Sequence, residues 1–339
     1  MNQDENSYRE KRVTATKGWV RRFFRHENAI LGFVAVALVV TFAIVTKGRS
    51  IQPQNIRNVF LQSAVRGVGA VGETFVVLTG GIDVSIGGIS LFCSVLGASL
   101  MTNSAWQNLS PLGYPLPIGL GILVMLLTGM GWGFINGSAV SRIGMPSLIV
   151  TLAMWEITKG ASFPITGGQV IAFLPEGLGF IGGVGGGIVP MPIVIFIIVV
   201  AVAYFVLKYT PYGRYCYATG GNPVSAYLAG INVKRIWLSV FMIAGFMAGL
   251  ASVINTGRTM SASMLSVYGL ELDAIASVFV GGVSLAGGKG SIIGVVLGVI
   301  IIGMINNALS IVGAGPTTQG IVKGVIIFGA VAVDYIRRR

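Results

Sequence analysis

The chain has 339 residues, of which 54% are hydrophobic and only 10% are charged, and its formal net charge is +12. Soluble domains contain about 25% charged residues on average, so this composition excludes an ordinary soluble enzyme. Apolar runs recur along the chain, and roughly 20 apolar residues cross the hydrocarbon core of a bilayer as a helix. These runs lack the alternating pattern of transmembrane β-barrel strands. The sequence therefore predicts an all-α polytopic membrane protein.

Basic residues are concentrated before the first apolar run and at the end of the chain. They are Arg9, Lys11, Arg12, Lys17, Arg21, Arg22 and Arg25, followed by Arg337, Arg338 and Arg339. Basic flanks are typical of the cytoplasmic side, so both termini are expected in the cytoplasm, and nucleic-acid binding is not indicated. Residues 1–27 are predicted to be a cytoplasmic basic tail. Its segment WVRRFFR (19–25) has two interpretations, an interfacial helix on an anionic leaflet or a disordered leader.

Residues 28–339 are predicted to form one transmembrane domain of about ten helices. The expected spans are about 29–46, 64–79, 86–103, 117–141, 146–163, 190–208, 236–256, 270–284, 291–311 and 319–336. This order places Arg142, Lys208, Arg214, Lys234, Arg235 and Lys289 inside, and Lys47, Arg49, Arg57 and Arg258 outside. Arg49 and Arg57 oppose the positive-inside rule. The short spans 64–79 and 270–284 are expected within the bundle, where protein surrounds irregular backbone. The Gly- and Pro-rich segment 164–190 is expected on the outer face.

Two glycine-rich junctions look alike, GGIDVSIGGI at 80–89 and GGVSLAGGKGSI at 281–292. Each follows a short span and precedes a longer one, which indicates either an internal duplication or chance in a glycine-rich chain. Gly80 and Gly81 are expected to end the second span, and Asp83 or Ser85 to cap the third.

No motif in the chain predicts catalysis. GGKGS at 287–291 is not a phosphate-binding loop, because Val283 and Gly290 occupy positions that the motif reserves for Gly and for Ser or Thr. The chain has one histidine and two cysteines, Cys93 and Cys216, which imply neither a metal site nor a disulfide framework. The protein is therefore not expected to be an enzyme, and uphill transport would draw on an ion gradient or on a partner.

Few polar side chains fall within the predicted spans. The ionisable candidates for a role in transport are Glu73, Glu156, Lys159 and Lys323, and the amide candidates are Asn136, Asn255, Asn306 and Asn307. Glu156 and Lys159 have the i, i+3 spacing of an ion pair. Asn136, Asn306 and Asn307 are candidates for the path of a polar solute, although an interhelical hydrogen bond is the favoured interpretation of each asparagine. Glu73 is a further path candidate, and a protonated buried carboxyl is its alternative.

The segment YATGGNPVSAYLAGINVKR (217–235) predicts a short capped helix at 223–229 between two apolar runs. Asn222 is a favourable N-cap, Pro223 suits the first helical position and Gly230 suits the position after the helix. Gly220 and Gly221 are expected to allow a sharp turn before it.

The same helix carries Val224, Tyr227 and Leu228 on one apolar face, on a loop that the charge pattern places in the cytoplasm. Two interpretations stay open from the residues alone. The helix either inserts into the groove of a partner or folds back on the bundle.

Four motifs together resemble the permeases of ribose-type monosaccharide ABC importers, within the branched-chain amino-acid and sugar permease superfamily. They are TGGIDVSIG (79–87), NGSAVSRIGMPSLIVTLAM (136–154), YGRYCYATGGNPVSAYLAGINV (212–233) and DAIASVFVGGVSLAGGKGSIIGVVLG (273–298). The resemblance covers about residues 50–335 and implies a type II-like permease in a bacterial inner membrane. It also implies a pore of two permease copies or paralogues, a cytosolic ATPase that binds ATP and Mg²⁺, and a periplasmic or lipid-anchored sugar-binding protein.

The resemblance further assigns the segment at about 222–230 as the coupling helix, which contacts the ATPase. The residues it implies are Gly220, Gly221, Asn222, Pro223, Ala226, Tyr227, Leu228 and Gly230. The family often has an acidic residue and Ala-Ala after Gly-Gly-Asn, where this chain has Pro223, Val224 and Ser225. The alternatives are an ion-coupled secondary transporter or channel, and an ABC permease for amino acids or nucleosides.

Overall fold

The computed structural model describes residues 27–184, 189–267 and 269–337. The predicted basic tail, including the segment 19–25, lies outside the described residues except for its last residue. Thirteen α-helices form within the described ranges. They are α1 Glu27–Val45, α2 Pro53–Leu78, α3 Ile86–Met101, α4 Ile118–Ser138, α5 Ser147–Thr166, α6 Glu176–Ile181, α7 Met191–Tyr209, α8 Pro211–Gly221, α9 Pro223–Leu228, α10 Val233–Thr259, α11 Leu270–Val280, α12 Ile292–Ile311 and α13 Pro316–Arg337. No strand forms in these ranges, and one isolated antiparallel bridge joins Ile171 and Ala262.

Five of these helical segments are long and apolar enough to cross a bilayer. They are Ile118–Ile143, Met191–Tyr209, Val233–Thr259, Ile292–Ile311 and Thr317–Ile336. Leu31–Val45 and Ile86–Met101 are shorter apolar helices. The prediction of an all-α polytopic membrane protein is confirmed.

The second and the eighth predicted spans, both expected to be short, differ from their helices in length in opposite directions. The second, expected at 64–79, begins at Pro53 and runs 26 residues, because Pro53 fits the first helical turn and the helix continues through a polar segment. The eighth, expected at 270–284, is an 11-residue helix, Leu270–Val280. Its length of about 16 Å is roughly half the thickness of the hydrocarbon core. Seven of its eleven residues are buried, so it lies inside the bundle.

Helix α10 occupies the centre of the bundle and packs closely on α4 and α2. A Cβ atom at Gly129 would collide with the carbonyl of Gly245, and one at Gly133 with the carbonyl of Phe241. A Cβ atom at Gly72 would lie 3.1 Å from the Cα of Ala244. These glycines let helix backbones approach within contact distance, which is how small residues stabilise membrane bundles.

The two glycine-rich junctions end their helices with the same hydrogen-bond pattern. After α2, the N–H of Gly80 donates to the carbonyl of Val77 (2.9 Å) and that of Gly81 to Val76 (3.1 Å). After α11, the N–H of Gly282 donates to Phe279 (3.0 Å) and that of Val283 to Val278 (3.1 Å). Gly80 and Gly282 have φ of 83° and 82°, so each junction is a Schellman cap. Gly80 and Gly81 end the second helix as predicted.

The prediction that the side chain of Asp83 or Ser85 caps the third span is wrong. Ser85 precedes α3, but its side chain accepts no hydrogen bond from the first turn of that helix. Instead Oδ1 of Asp83 accepts from both the N–H (2.8 Å) and the hydroxyl (2.5 Å) of Ser85. The carboxylate therefore closes an Asx turn before the helix, while the hydroxyl oxygen of Ser85 accepts from the amide of Asn136 (2.8 Å) rather than from the first turn.

Candidate functional site

The short helix α9 forms as the sequence predicts. Oδ1 of Asn222 accepts from the N–H of Ser225 (3.0 Å), and Pro223 occupies the first helical position. Gly230 has φ of 84°, and the N–H groups of Gly230 and Ile231 close a third Schellman cap on Tyr227 (2.9 Å) and Ala226 (3.0 Å). The helix ends at Leu228, one residue before the predicted end. Local capping therefore fixes its position and its length.

The apolar side chains of α9 are exposed rather than folded back on the bundle. Val224 and Tyr227 are each 69% exposed and Leu228 is 79% exposed, whereas Ala226 is buried. Three large apolar side chains on six residues form a patch that water solvates poorly. Of the two interpretations of this helix, the structure favours insertion into a partner.

Behind α9, five glycines bring three chain segments together, and we call them the glycine junction: Gly80, Gly220, Gly221, Gly287 and Gly288. A Cβ atom at Gly220 would collide with the carbonyl of Leu78, and one at Gly288 would lie 2.8 Å from Gly221. The N–H of Gly288 donates to the carbonyl of Leu78 (2.9 Å). The junction thus holds the end of α8 against the end of α2 and the loop after α11.

This packing corrects the predicted role of Gly220 and Gly221. Both lie in the last turn of α8, which continues to Gly221, and neither forms a sharp turn. Gly220 is glycine because other backbones approach it, not because the chain bends, whereas a Cβ atom at Gly221 would meet no neighbouring atom within 4 Å. The indole of Trp237 donates to the carbonyl of Thr79 (3.3 Å) and the hydroxyl of Tyr217 to that of Gly290 (3.0 Å), which strengthens the same contact.

Both cysteines are free and buried. Burial raises the pKa of the Cys216 thiol to about 12, so it stays protonated and unreactive at neutral pH. No group of three or more His, Cys, Asp or Glu side chains that could hold a metal ion occurs in the part of the chain that the structure describes.

Two buried polar clusters lie deeper in the bundle, and the first, the Glu73 cluster, comprises Glu73, Asp83, Ser85 and Asn136. Oε1 of Glu73 accepts from the N–H of Asp83 (3.1 Å), and the amide of Asn136 donates to the hydroxyl of Ser85 (2.8 Å). All four residues have no exposed surface. Three oxygens, Oε2 of Glu73, Oδ2 of Asp83 and Oδ1 of Asn136, have no partner among the described residues.

The second, the Asp273 cluster, comprises Asp273, Arg66, Lys323 and Asn306. Oδ2 of Asp273 lies 2.7 Å from Nε of Arg66, and Oδ1 lies 2.8 Å from Nζ of Lys323. The amide of Asn306 donates to Oδ1 at 3.2 Å. These side chains come from α11, α2, α13 and α12, so one buried carboxylate joins four helices.

The four predicted path residues belong to three separate hydrogen-bonded groups. Glu73 and Asn136 belong to the first cluster and Asn306 to the second, while Asn307 exchanges two hydrogen bonds with Asn55 (2.8 and 2.9 Å). The amide of each of these asparagines thus donates to a residue on another helix or directly before one. This agrees with the favoured interpretation, which is an interhelical hydrogen bond. Whether any of them also contacts a solute stays a prediction.

The expected ion pair between Glu156 and Lys159 is wrong. Both side chains are exposed on α5, and no salt bridge joins them. Nζ of Lys159 lies 4.5 Å from the ring centroid of Trp155 instead. The indole is one turn back on the same helix, and it offers the ammonium a cation–π contact.

Sequence reasoning missed Asp273, Arg66 and the cavity beside them. The cavity has a volume of about 310 Å³ and is lined at its polar side by Gln62, Arg66, Asn255, Arg258, Ser263 and Asp273. A signal for Asp273 was present, since it is an acid on a short span that was expected within the bundle.

Comparison with known proteins agrees with the resemblance. The profile of the family described as "Branched-chain amino acid transport system / permease component" matches residues 55–331. A ribose import permease of Haemophilus influenzae is 38% identical over 313 residues, which is 88% of this chain and 91% of the relative. A D-allose transport system permease of Escherichia coli is 37% identical, covering 89% and 90%. A fructose import permease of Rhizobium meliloti is 31% identical, covering 93% and 88%. No solved structure shows a significant match.

Proposed function

The chain belongs to the family described as the permease component of branched-chain amino acid transport systems, and we propose that it is the membrane subunit of a bacterial ABC importer for a monosaccharide. The observation that carries the proposal is the likeness, over nearly the whole of both chains, to permeases that import ribose, allose and fructose. The chain would lie in the inner membrane and form a pore with a second copy or a paralogue.

We further propose that α9 is the coupling helix, and that a cytosolic ATPase holding ATP and Mg²⁺ covers its apolar face. The exposed Val224, Tyr227 and Leu228 support this assignment. The glycine junction would pass the movement on, because the segment leading into α9 contacts the ends of α2 and of the loop after α11. Alternating access would follow from this displacement, and a periplasmic or lipid-anchored binding protein would deliver the sugar.

The contact with the ATPase is tested by Leu228→Asp in the assembled importer. We expect a stable, membrane-inserted permease that no longer retains the ATPase, because a buried unpaired charge costs several kcal/mol. Leu228→Met is the matched control and keeps the apolar volume. Copurification and ATP-driven uptake are the measurements, and normal uptake by Leu228→Asp would reject the assignment.

The proposed topology has ten crossings with both termini in the cytoplasm. A described helix overlaps each expected span, including the short α11. The proposal is tested by Glu176→Cys, since Glu176 is exposed at the start of α6 in the expected outer segment. We expect labelling by an impermeant thiol reagent added outside intact cells, with little background from the two buried native cysteines. Labelling only in inverted vesicles would reverse the topology.

An ion-coupled secondary transporter or channel is the second candidate, and the Glu73 cluster is the observation that favours it. Two buried carboxyl groups without a paired cation are a usual feature of ion pathways. Inverted vesicles with an uncoupler separate the two functions. In inverted vesicles an importer moves solute out of the lumen. Efflux that needs ATP and survives the uncoupler supports the ABC importer, whereas efflux that collapses with the ion gradient supports the alternative. If amino acids or nucleosides compete for transport and sugars do not, the chain is an ABC permease for amino acids or nucleosides instead.

A further inference from the structure

The cavity beside Asp273 lies at the opposite end of the central helix from α9. Helix α10 begins at Val233, five residues after α9 ends, and runs 27 residues to Thr259. At 1.5 Å per residue, its length is about 40 Å, enough to cross the whole hydrocarbon core. Arg258 is in its last turn and lines the cavity. If α9 faces the cytoplasm, the cavity therefore faces outward.

The polar groups of the cavity call for an occupant with many hydrogen-bonding oxygens. Nε of Arg258 is buried and has no hydrogen-bond partner within the described ranges. A guanidinium only donates, so whatever faces Arg258 must accept. Gln62, Asn255, Ser263 and their neighbours supply amides and hydroxyls, which both donate and accept. A hydroxyl-rich solute satisfies both kinds of group.

The second guanidinium at the cavity is already held in place. Arg66 bonds through Nε to Asp273 at 2.7 Å, and Asp273 is itself held by Lys323 at 2.8 Å. The terminal nitrogen Nη1 of Arg66 contacts Gln62 only at 3.4 Å. Arg66, which lines the cavity, is therefore held in a fixed position, and a preorganised donor favours binding.

The size of the cavity fits one small ligand. Its volume of about 310 Å³ is at the lower end of the range for ligand sites, roughly 300–1,000 Å³. A single sugar ring can enter a cavity of this size.

We propose that this cavity is the outward-facing binding site for the monosaccharide, and that Arg258 donates hydrogen bonds to its oxygens. The inference rests on the proposed function and adds to it the position of the site and its main contact. Asp273 acts as a positioning residue, since it fixes Arg66 rather than touching the sugar.

The test uses the complete importer, with its ATPase and its binding protein, in proteoliposomes. Uptake of radiolabelled D-ribose, D-allose and D-fructose is compared for wild type, Arg258→Gln and Arg258→Lys. We expect at least a tenfold loss of uptake for Arg258→Gln and a smaller loss for Arg258→Lys, which keeps a positively charged donor. Copurification of the ATPase checks that each variant assembles. The control is Arg57→Gln, on the same helix as Arg66 but outside the cavity, which should transport within twofold of wild type.

A second measurement does not depend on uptake. Ser263→Cys should react with an impermeant thiol reagent added outside, and millimolar concentrations of the transported sugar should slow the reaction at least threefold. Normal uptake by Arg258→Gln, or no protection of Ser263→Cys by a sugar that the wild type transports, overturns the inference alone. Protection by D-gluconate and by none of the neutral sugars would show that the cavity binds an anionic ligand, and it would overturn the inference that the ligand is a neutral monosaccharide. A wild-type importer that transports no sugar of the panel overturns both the inference and the proposed function.

Discussion

The Glu73 cluster and the Asp273 cluster both contain buried carboxyl groups, but among the described residues only the Asp273 cluster pairs its carboxylate with cations. Both place a carboxyl group from a helix interior or junction out of contact with water. Asp273 meets Arg66, Lys323 and Asn306, and both of its oxygens are used. Glu73 and Asp83 form no ion pair with any described residue, and each retains an oxygen without a partner.

The difference shows that two regions of the bundle are held together by different kinds of contact. The Asp273 cluster joins four helices through charged contacts next to the polar cavity, so we expect that region to resist rearrangement. The Glu73 cluster lies next to the glycine junction, since Asp83 is three residues after Gly80. Two carboxylates cannot both be charged there without a cation. That region is held mainly by close backbone packing, which can shift without breaking an ion pair.

Asp273→Asn should produce the largest effect of the changes that test this comparison. It leaves the buried Lys323 and the partly buried Arg66 as cations without a carboxylate. Breaking a buried pair from one side costs about 3–5 kcal/mol. We expect a large drop in the midpoint of thermal unfolding of the solubilised permease. Arg66→Gln combined with Asp273→Asn should recover part of it, because one unpaired charge is then removed. An Asp273→Asn variant as stable as wild type would remove the distinction between the clusters.

Substitution of the asparagine in each cluster should show the same order, with a larger loss of stability at Asn306 than at Asn136. Asn306→Leu removes a hydrogen bond to a charged carboxylate, worth about 1.5–3 kcal/mol. Asn136→Leu removes a neutral bond to the hydroxyl of Ser85, and neutral interhelical bonds average about 0.6 kcal/mol. Thermal unfolding of both variants checks the order.

Uptake by the same two variants tests their predicted place on the solute path. Substitution of a residue on the path should impair transport while the complex stays assembled and its ATPase stays active. Substitution of a purely structural residue should instead lower the stability or the yield of the permease. Equal stability losses at the two positions would show that the charge of Asp273 does not strengthen the contact with Asn306.

The parts of this structure that sequence predicts are those with local causes. Helix α9 follows from Asn222, Pro223 and Gly230, which lie within nine residues of one another, and the cap after α2 follows from adjacent glycines. The glycine junction does not, because Gly220 meets Leu78 and Gly288 only after folding. Asp273 likewise meets partners on three other helices, and no spacing along the chain reveals which cations will reach it.

Glu73→Gln should have the smallest effect, and it is the matched control for Asp273→Asn because both changes replace a buried carboxyl by its amide. Oε1 of the new side chain still accepts from the N–H of Asp83, so the hydrogen bond seen at 3.1 Å is retained. The change also removes any repulsion between the two carboxyl groups. We expect a free energy of unfolding within about 1 kcal/mol of wild type, since no charge partner is lost. Thermal unfolding in detergent and ATP-driven uptake are the measurements. A loss as large as that of Asp273→Asn would mean that Glu73 is charged and holds a cation, and uptake that then collapses with the ion gradient would favour ion coupling over an ATP-driven importer.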